Sequence, residues 1–337
     1  MKRNMFSWVR DTISSSRKKP IPLLSSPSIQ LMGISVKELI SDSQLQAKGM
    51  QLVAQRVDTA ASVSLMDLSV EAECFGSEIR TSDDEVPTVV GSIVVDKEQA
   101  KALQVPAIST GRAQIYLDAI EKAVKLIQDR PVFAGVIGPF SLASRLIGVS
   151  DTFVYCYEEP DIVHIVLEKC TVYLKQYIQA YRQIGANGVV VAEPLAGLLS
   201  PALAKEFSAN YMKRIVDDVQ DEHFIVVYHN CGSSTIKTID SILEIGAPVL
   251  HFGNSISMRD MLKYIPGDVL VLGNIDPAGE FRNGTPASIR SATLQVLEEC
   301  SPYPNFVISS GCDIPPLSPW ENIEAFFAAI EDFYKEA

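Results

Sequence analysis

Apolar residues in this chain fall into short, nearly unbroken runs separated by longer stretches with helical spacing. The runs are Ala61–Met66, Val132–Val136, Gly188–Ala192, Phe224–Tyr228, Val249–Phe252, Val269–Leu272 and Phe306–Ser309, all rich in β-branched side chains. Runs that lack polar alternation read as strands covered on both faces. Helix starts lie between them. Ser35-Val-Lys-Glu38 is a capping-box sequence, predicting a helix with Leu39, Ile40, Leu52 and Val53 inward. Pro160 suits the first turn of a long helix through Val163, Val166, Leu167, Leu174 and Ile178. Thr285-Pro286 opens another, and Ser318-Pro-Trp-Glu321 reads as a capping box before the last. Phe6, Val9 and Ile13 predict a short amphipathic first helix.

Strands alternating with helices along a whole chain imply a parallel sheet. Seven runs, with an eighth hidden near Tyr155–Tyr157 or Ile21–Leu24, favour a closed (β/α)8 barrel. The expected architecture is therefore α/β, a single TIM-barrel domain over residues 1–337. Residues 1–57 form an N-terminal helical extension and residues 58–337 the barrel. A doubly wound open sheet is the alternative, but no glycine-rich dinucleotide fingerprint follows the first strand. Thr81–Pro106 reads as an insertion after that strand: polar, then a short β pair, then a helix from Asp96.

Composition narrows the function classes. Of 337 residues 47% are hydrophobic, ample for a large core. Lysine and arginine number 29 against 41 aspartates and glutamates, a net charge of −12 that disfavours nucleic acid or an anionic membrane as partner. No run approaches the roughly 18 apolar residues of a membrane span. The basic N-terminus has no apolar signal core, and six cysteines in a chain this long do not make a disulfide framework. A reduced, cytoplasmic protein is expected.

The unusual side chains follow the strands. Asp67, Glu71 and Glu73 come after the first, and Glu193 after the third. His229 and Cys231 follow the fourth, Asn254 the fifth, Asp276 the sixth and Cys312 the last. In a parallel barrel these C-terminal ends form one face, where active sites sit. Asn254 and Asp276 are also ordinary helix-cap residues. Capping does not account for a histidine, two cysteines and a glutamate. Residues i and i+2 of a strand share a face, so His229 and Cys231 point together into the barrel mouth, where Cys312 also arrives. One nitrogen and two soft sulfurs make a zinc set, and three protein ligands leave a position open for chemistry. Glu193 is a candidate resting fourth ligand or proton acceptor. Cys156, Cys170 and Cys300 fall in helical patterns and read as packing residues; His251, inside a strand, reads as a hydrogen-bonded core histidine.

The segments "MDLSVEAECFG", "HNCG", "GNIDP…GTP" and "SSGCDIPPLSPWENI" together resemble the zinc-dependent methyltransferases of the uroporphyrinogen decarboxylase superfamily. The resemblance is to the methylcobalamin:coenzyme M methyltransferases and their relatives in methylamine, methanol and chloromethane metabolism, and it spans about Met5 to Ala337. It implies a TIM barrel and zinc on His229, Cys231 and Cys312. It further implies methylcobalamin as methyl donor, a corrinoid protein as partner, and a small-molecule thiol such as coenzyme M as acceptor. The thiol, activated as a thiolate, would take the methyl group in line and leave cob(I)alamin. Glu193, Asp67 and Asp276 are then candidate catalytic or substrate-positioning residues, and Glu71 and Asn254 candidate cofactor contacts. Arg145 is the nearest basic candidate for the sulfonate of coenzyme M. True uroporphyrinogen decarboxylases use no metal and carry an Arg-Gln-Ala-Gly-Arg-type loop, where this chain has "SRKKPIPLLSSPSIQLMGIS". Asp67 matches a substrate-binding aspartate of those decarboxylases and does not discriminate. Decarboxylation, a non-catalytic zinc or corrinoid carrier, and a cysteine hydrolase are the alternatives.

Overall fold

The computed structural model describes residues 3–336. Seven parallel strands curl into one sheet: β1 (Ser62–Val63), β4 (Val132–Ile137), β5 (Gly188–Ala192), β6 (Ile225–Asn230), β7 (Val249–Phe252), β8 (Leu270–Ile275) and β9 (Phe306–Ser310), in that spatial order. The insertion carries the antiparallel pair β2 (Glu78–Arg80) and β3 (Thr88–Val90), then a helix Lys97–Ala102 capped by Asp96. All seven predicted strands are present, the first reduced to two residues.

The eighth stave of the barrel is an extended segment at residues 20–24 without a regular ladder. Ala60 N–H donates to the Pro20 carbonyl (3.0 Å), Ile21 N–H to the Ile308 carbonyl (3.2 Å), and Ile314 N–H to the Leu23 carbonyl (3.0 Å). The segment thus bridges the two edges of the sheet, β1 and β9. Pro20 and Pro22 have no N–H to give, which is why the ladder is broken. Tyr155–Tyr157, the other candidate, lies in the helix Val149–Glu158. Residues 20–24, expected in the N-terminal extension, therefore stand in the barrel wall.

Alternation along the strands builds two cores. Val63, Phe133, Val190, Ile225, Val227, Val249, Leu270, Leu272 and Val307 fill the barrel interior with Ile21 and Leu23. Their neighbours Val132, Ala134, Val189, Val191, Val226, Leu250 and Phe306 face the surrounding helices. The predicted first helix, Met5–Ser14, plugs the N-terminal end of the barrel: Met5 and Val9 are buried against the inner cluster, and Trp8 meets Phe133 edge-on at 5.8 Å.

Two helix readings differ from expectation. The helix opened by Ser35 stops at Ser41, because the Asp42 side chain accepts from Gln44 N–H and Leu45 N–H and starts a second helix, Ser43–Arg56. Before the last helix, Trp320–Glu336, the Ser318 hydroxyl has no hydrogen-bond partner, so that capping box does not form.

The interior is filled by pairing a large residue with a small one. A Cβ on Gly188 would stand 2.2 Å from the Ile225 carbonyl oxygen and 2.7 Å from the Phe133 ring. Gly188→Ala should destabilise the fold by about 1–3 kcal/mol, the usual range for overpacking. A lowered urea midpoint at unchanged slope is the expected reading.

Candidate metal centre

The pairing register Ala192↔His229↔His251 sets two imidazoles side by side on the inner face, one layer above Val227 and Val249. Cys231 lies just beyond β6, two residues after His229, and Cys312 just beyond β9. A ring nitrogen of His229 and the sulfurs of Cys231 and Cys312 all lie within 4.8 Å of one another. His229 Nε2 and Cys312 Sγ are 3.5 Å apart. Around a tetrahedral zinc, bond lengths of about 2.05 and 2.3 Å place N and S donors about 3.6 Å apart, so the trio fits the ion in spacing as well as in donor type. The facing Cys312 thiol holds Cys231 below its ordinary value, and the facing Cys231 together with burial pushes Cys312 up to about 12. Gly253 makes room here, since a Cβ on it would stand 2.5 Å from the Cys231 Cβ.

The trio lines a cavity of about 580 Å³ with Met66, Pro194, Arg145 and Asp313, roofed by the turn at 84–88 between β2 and β3. That size suits a small-molecule site. The Arg145 guanidinium makes no ion pair or hydrogen bond among the described residues, and its Nε is buried without a partner. Asp313 was missed by sequence reading, although it adjoins Cys312. Its Oδ2 accepts from Ser26 Oγ (2.9 Å), Oδ1 has no partner, and burial raises its pKa well above the usual carboxylate value.

The other sequence candidates lie apart from the trio. Glu193 is fully buried and turned to the start of the helix Pro139–Ile147, accepting from Phe140 N–H (2.9 Å), Ser141 N–H (3.0 Å) and Ser141 Oγ (2.8 Å). Burial raises it to about 7 against those bonds. Asp67 accepts from Ser69, Tyr116 Oη (2.7 Å) and the Arg112 guanidinium, which also holds Glu73. Its carboxylate is sealed from solvent. Asp276 caps the turn Pro277–Arg282 through Ala278 and Gly279 N–H, the ordinary cap role. Asn254 is exposed, against Gly311. Glu71 accepts from Ile137 N–H (3.1 Å) through Oε1, while Oε2 is buried without a partner and desolvation raises the carboxyl to about 8. His251 is the hydrogen-bonded core histidine anticipated, with His229 Nδ1 at 2.7 Å from its Nδ1 and Ser309 Oγ at 2.8 Å from its Nε2.

The uroporphyrinogen decarboxylase (URO-D) model matches residues 24–333. The chain belongs to the URO-D family. Among curated URO-D-related proteins, methylcobamide:CoM methyltransferase MtbA of Methanosarcina acetivorans is 27% identical over 274 residues, covering 79% of this chain and 78% of that protein. The Methanosarcina mazei MtbA is 27% identical over 278 residues, 79% and 78% covered. A uroporphyrinogen decarboxylase of Coxiella burnetii is 26% identical over 292 residues, 83% and 79% covered. A solved methyltransferase from Methanosarcina mazei superposes with a TM-score of 0.85 at 22% identity over 99% of this chain and all of that one, which establishes the URO-D barrel fold. Among the described residues no helix is long and apolar enough to cross a membrane.

Two outcomes test the site. Cys312→Ser should drop bound zinc from about one equivalent to a small fraction, since a hydroxyl is a poor replacement for a thiolate; metal analysis of both proteins reads it. Glu71 binds its proton more tightly when folded than an unfolded carboxyl at about 4.3. Its contribution to stability therefore falls as pH rises from there through about 8. Glu71→Gln should match wild type in melting temperature near pH 4 and exceed it at about pH 9, where the wild type must bury the charge.

Proposed function

We propose that this chain is a methyltransferase that moves a methyl group from methylcobalamin, carried by a corrinoid protein, to a small thiol such as coenzyme M. The observation that carries the reading is the His229–Cys231–Cys312 trio on the wall of a small-molecule cavity. The MtbA relatives, named for methylcobamide and CoM, support it. His229, Cys231 and Cys312 would hold zinc, and the ion would lower the pKa of an incoming thiol so that its sulfur could react as a thiolate.

The chain's own groups do the rest. Cys231 and Cys312 would hold the ion as thiolates and offset its charge, which would leave an incoming sulfur electron-rich. Leu23, Met66, Ala192 and Pro194 give the wall an apolar lining that thins water around that sulfur. The carbon–cobalt bond breaks with its electron pair left on cobalt as the carbon–sulfur bond forms, and the thiol proton leaves by the open mouth. Glu193 is committed to Phe140 and Ser141 and is not needed as its acceptor. Arg145, which makes no direct ion pair, offers its guanidinium on the cavity wall to an anionic tail on the thiol, which answers the poor match between an acidic protein and a sulfonate. Asp67, sealed by Arg112 and Tyr116, is not free to bind a porphyrinogen, which weighs against decarboxylation.

Purified protein should bleach methylcobalamin in a thiol-dependent reaction followed optically, and Cys231→Ala should not. Tight methylcobalamin binding with no turnover across several thiols would point to a carrier, and uroporphyrinogen consumption would point to a decarboxylase.

A further inference from the structure

Behind the trio, away from the cavity, runs a hydrogen-bonded chain that ends on the backbone of the eighth stave. His229 Nδ1 lies 2.7 Å from His251 Nδ1, His251 Nε2 lies 2.8 Å from Ser309 Oγ, and Ser309 Oγ donates to the Ile21 carbonyl at 2.8 Å. His229 is 1% exposed, and His251 and Ser309 are 0% exposed, so water cannot substitute for any link. The protons can be assigned from the fixed end. A carbonyl oxygen only accepts, so the single Ser309 hydroxyl proton goes to Ile21. Toward His251 the hydroxyl oxygen is then an acceptor, and His251 Nε2 carries a proton. An imidazole with its one proton on Nε2 offers a lone pair at Nδ1, and the buried His251 ring is held in that orientation by Ser309. Among the described residues the side chain that faces this lone pair is His229, through Nδ1. His229 is left with its proton on Nδ1 and its lone pair on Nε2, the nitrogen that faces Cys312 Sγ.

We propose that His251, held by Ser309 and the Ile21 carbonyl, is a positioning residue that presets the His229 tautomer and ring orientation so that Nε2 presents its lone pair between the two cysteines. This rests on the metal centre proposed above. Metal-bound histidines commonly give their second N–H to a carboxylate, a carbonyl or water. A neutral imidazole in that place has its own electrostatic effect. It accepts the N–H without adding a buried negative charge, so the two cysteines alone set the charge that the ion meets.

Two variants separate orientation from mere packing. In His251→Asn the amide oxygen can replace Nδ1 as acceptor; in His251→Leu volume is kept and the acceptor is lost. Zinc affinity of the full chain, measured by chelator competition, should fall about 10–100-fold in the leucine variant and recover most of that loss in the asparagine variant. Independently, with only four histidines in the chain, long-range proton–nitrogen spectra of metal-stripped wild type should show a protonated Nδ1 on His229 and a protonated Nε2 on His251. A proton on His229 Nε2, or leucine and asparagine variants that bind zinc as tightly as wild type, would overturn the proposal. Equal loss in both variants would do the same, because it would reduce His251 to packing. A wild type that binds no zinc would overturn the metal centre itself, while the nitrogen spectra would still judge the tautomer assignment.

Discussion

The side-chain alternation of a strand, imposed by a fixed parallel register, is the constraint on which this molecule depends. Along β6 the inward positions Ile225, Val227, His229 and then Cys231 form one series. The lower members pack the barrel, and the upper two carry chemistry. A slip of one residue would turn the imidazole and the thiol toward the helices and bring Tyr228 and Asn230 inside. Packing of the apolar half of β6 therefore fixes the aim of the reactive half. The neighbouring register repeats this on β7, where Val249 packs and His251 backs His229.

The protein treats its buried carboxylates in three ways. Asp67 is given a full counter-charge by Arg112. Glu193 has no cation but three donors at a helix start, and burial leaves it near 7. Glu71 has one donor and an empty oxygen, and sits higher still. The order of the two glutamates follows the hydrogen bonds each receives in exchange for lost hydration. Arg145 is the converse case, a sequestered guanidinium on the cavity wall that feels the charges of Glu71 and Asp67 but makes no direct ion pair with either. A cation kept out of water without a partner is costly, and such a cost is tolerated where a ligand supplies the missing charge.

Much of this was legible before any coordinates. The continuous apolar runs marked every strand of the sheet, and the two-residue spacing of His229 and Cys231 placed both on one face. The eighth stave was harder to see, because Pro20 and Pro22 break the ladder and erase its signature, leaving Ile21–Leu24 as one of two options. The stop at Ser41 depends on the Asp42 side chain folding back on two amides, a choice that apolar periodicity does not record. Ser318 shows the reverse, a motif present in sequence whose hydroxyl finds no partner. Glu193 looked free because a strand-end glutamate does not reveal that a helix N-terminus from the preceding βα unit lies against it. The strand position of His251 was readable; the partner on its far side, Ser309 of β9, lies one strand beyond β8 and 58 residues along the chain, and cannot be read from local spacing.

The stave at residues 20–24 also bears on how the chain is made. The ribosome makes it long before the strand it must join, β9, since the two segments are 288 residues apart at the Ile21–Ser309 contact. Throughout most of synthesis the nascent sheet has two bare edges, open to pairing with neighbouring chains. Closure, when it comes, draws together segments 288 residues apart, a slow search for a loop of that length. Cells producing this protein should therefore lean on chaperones that shield unfinished β-edges.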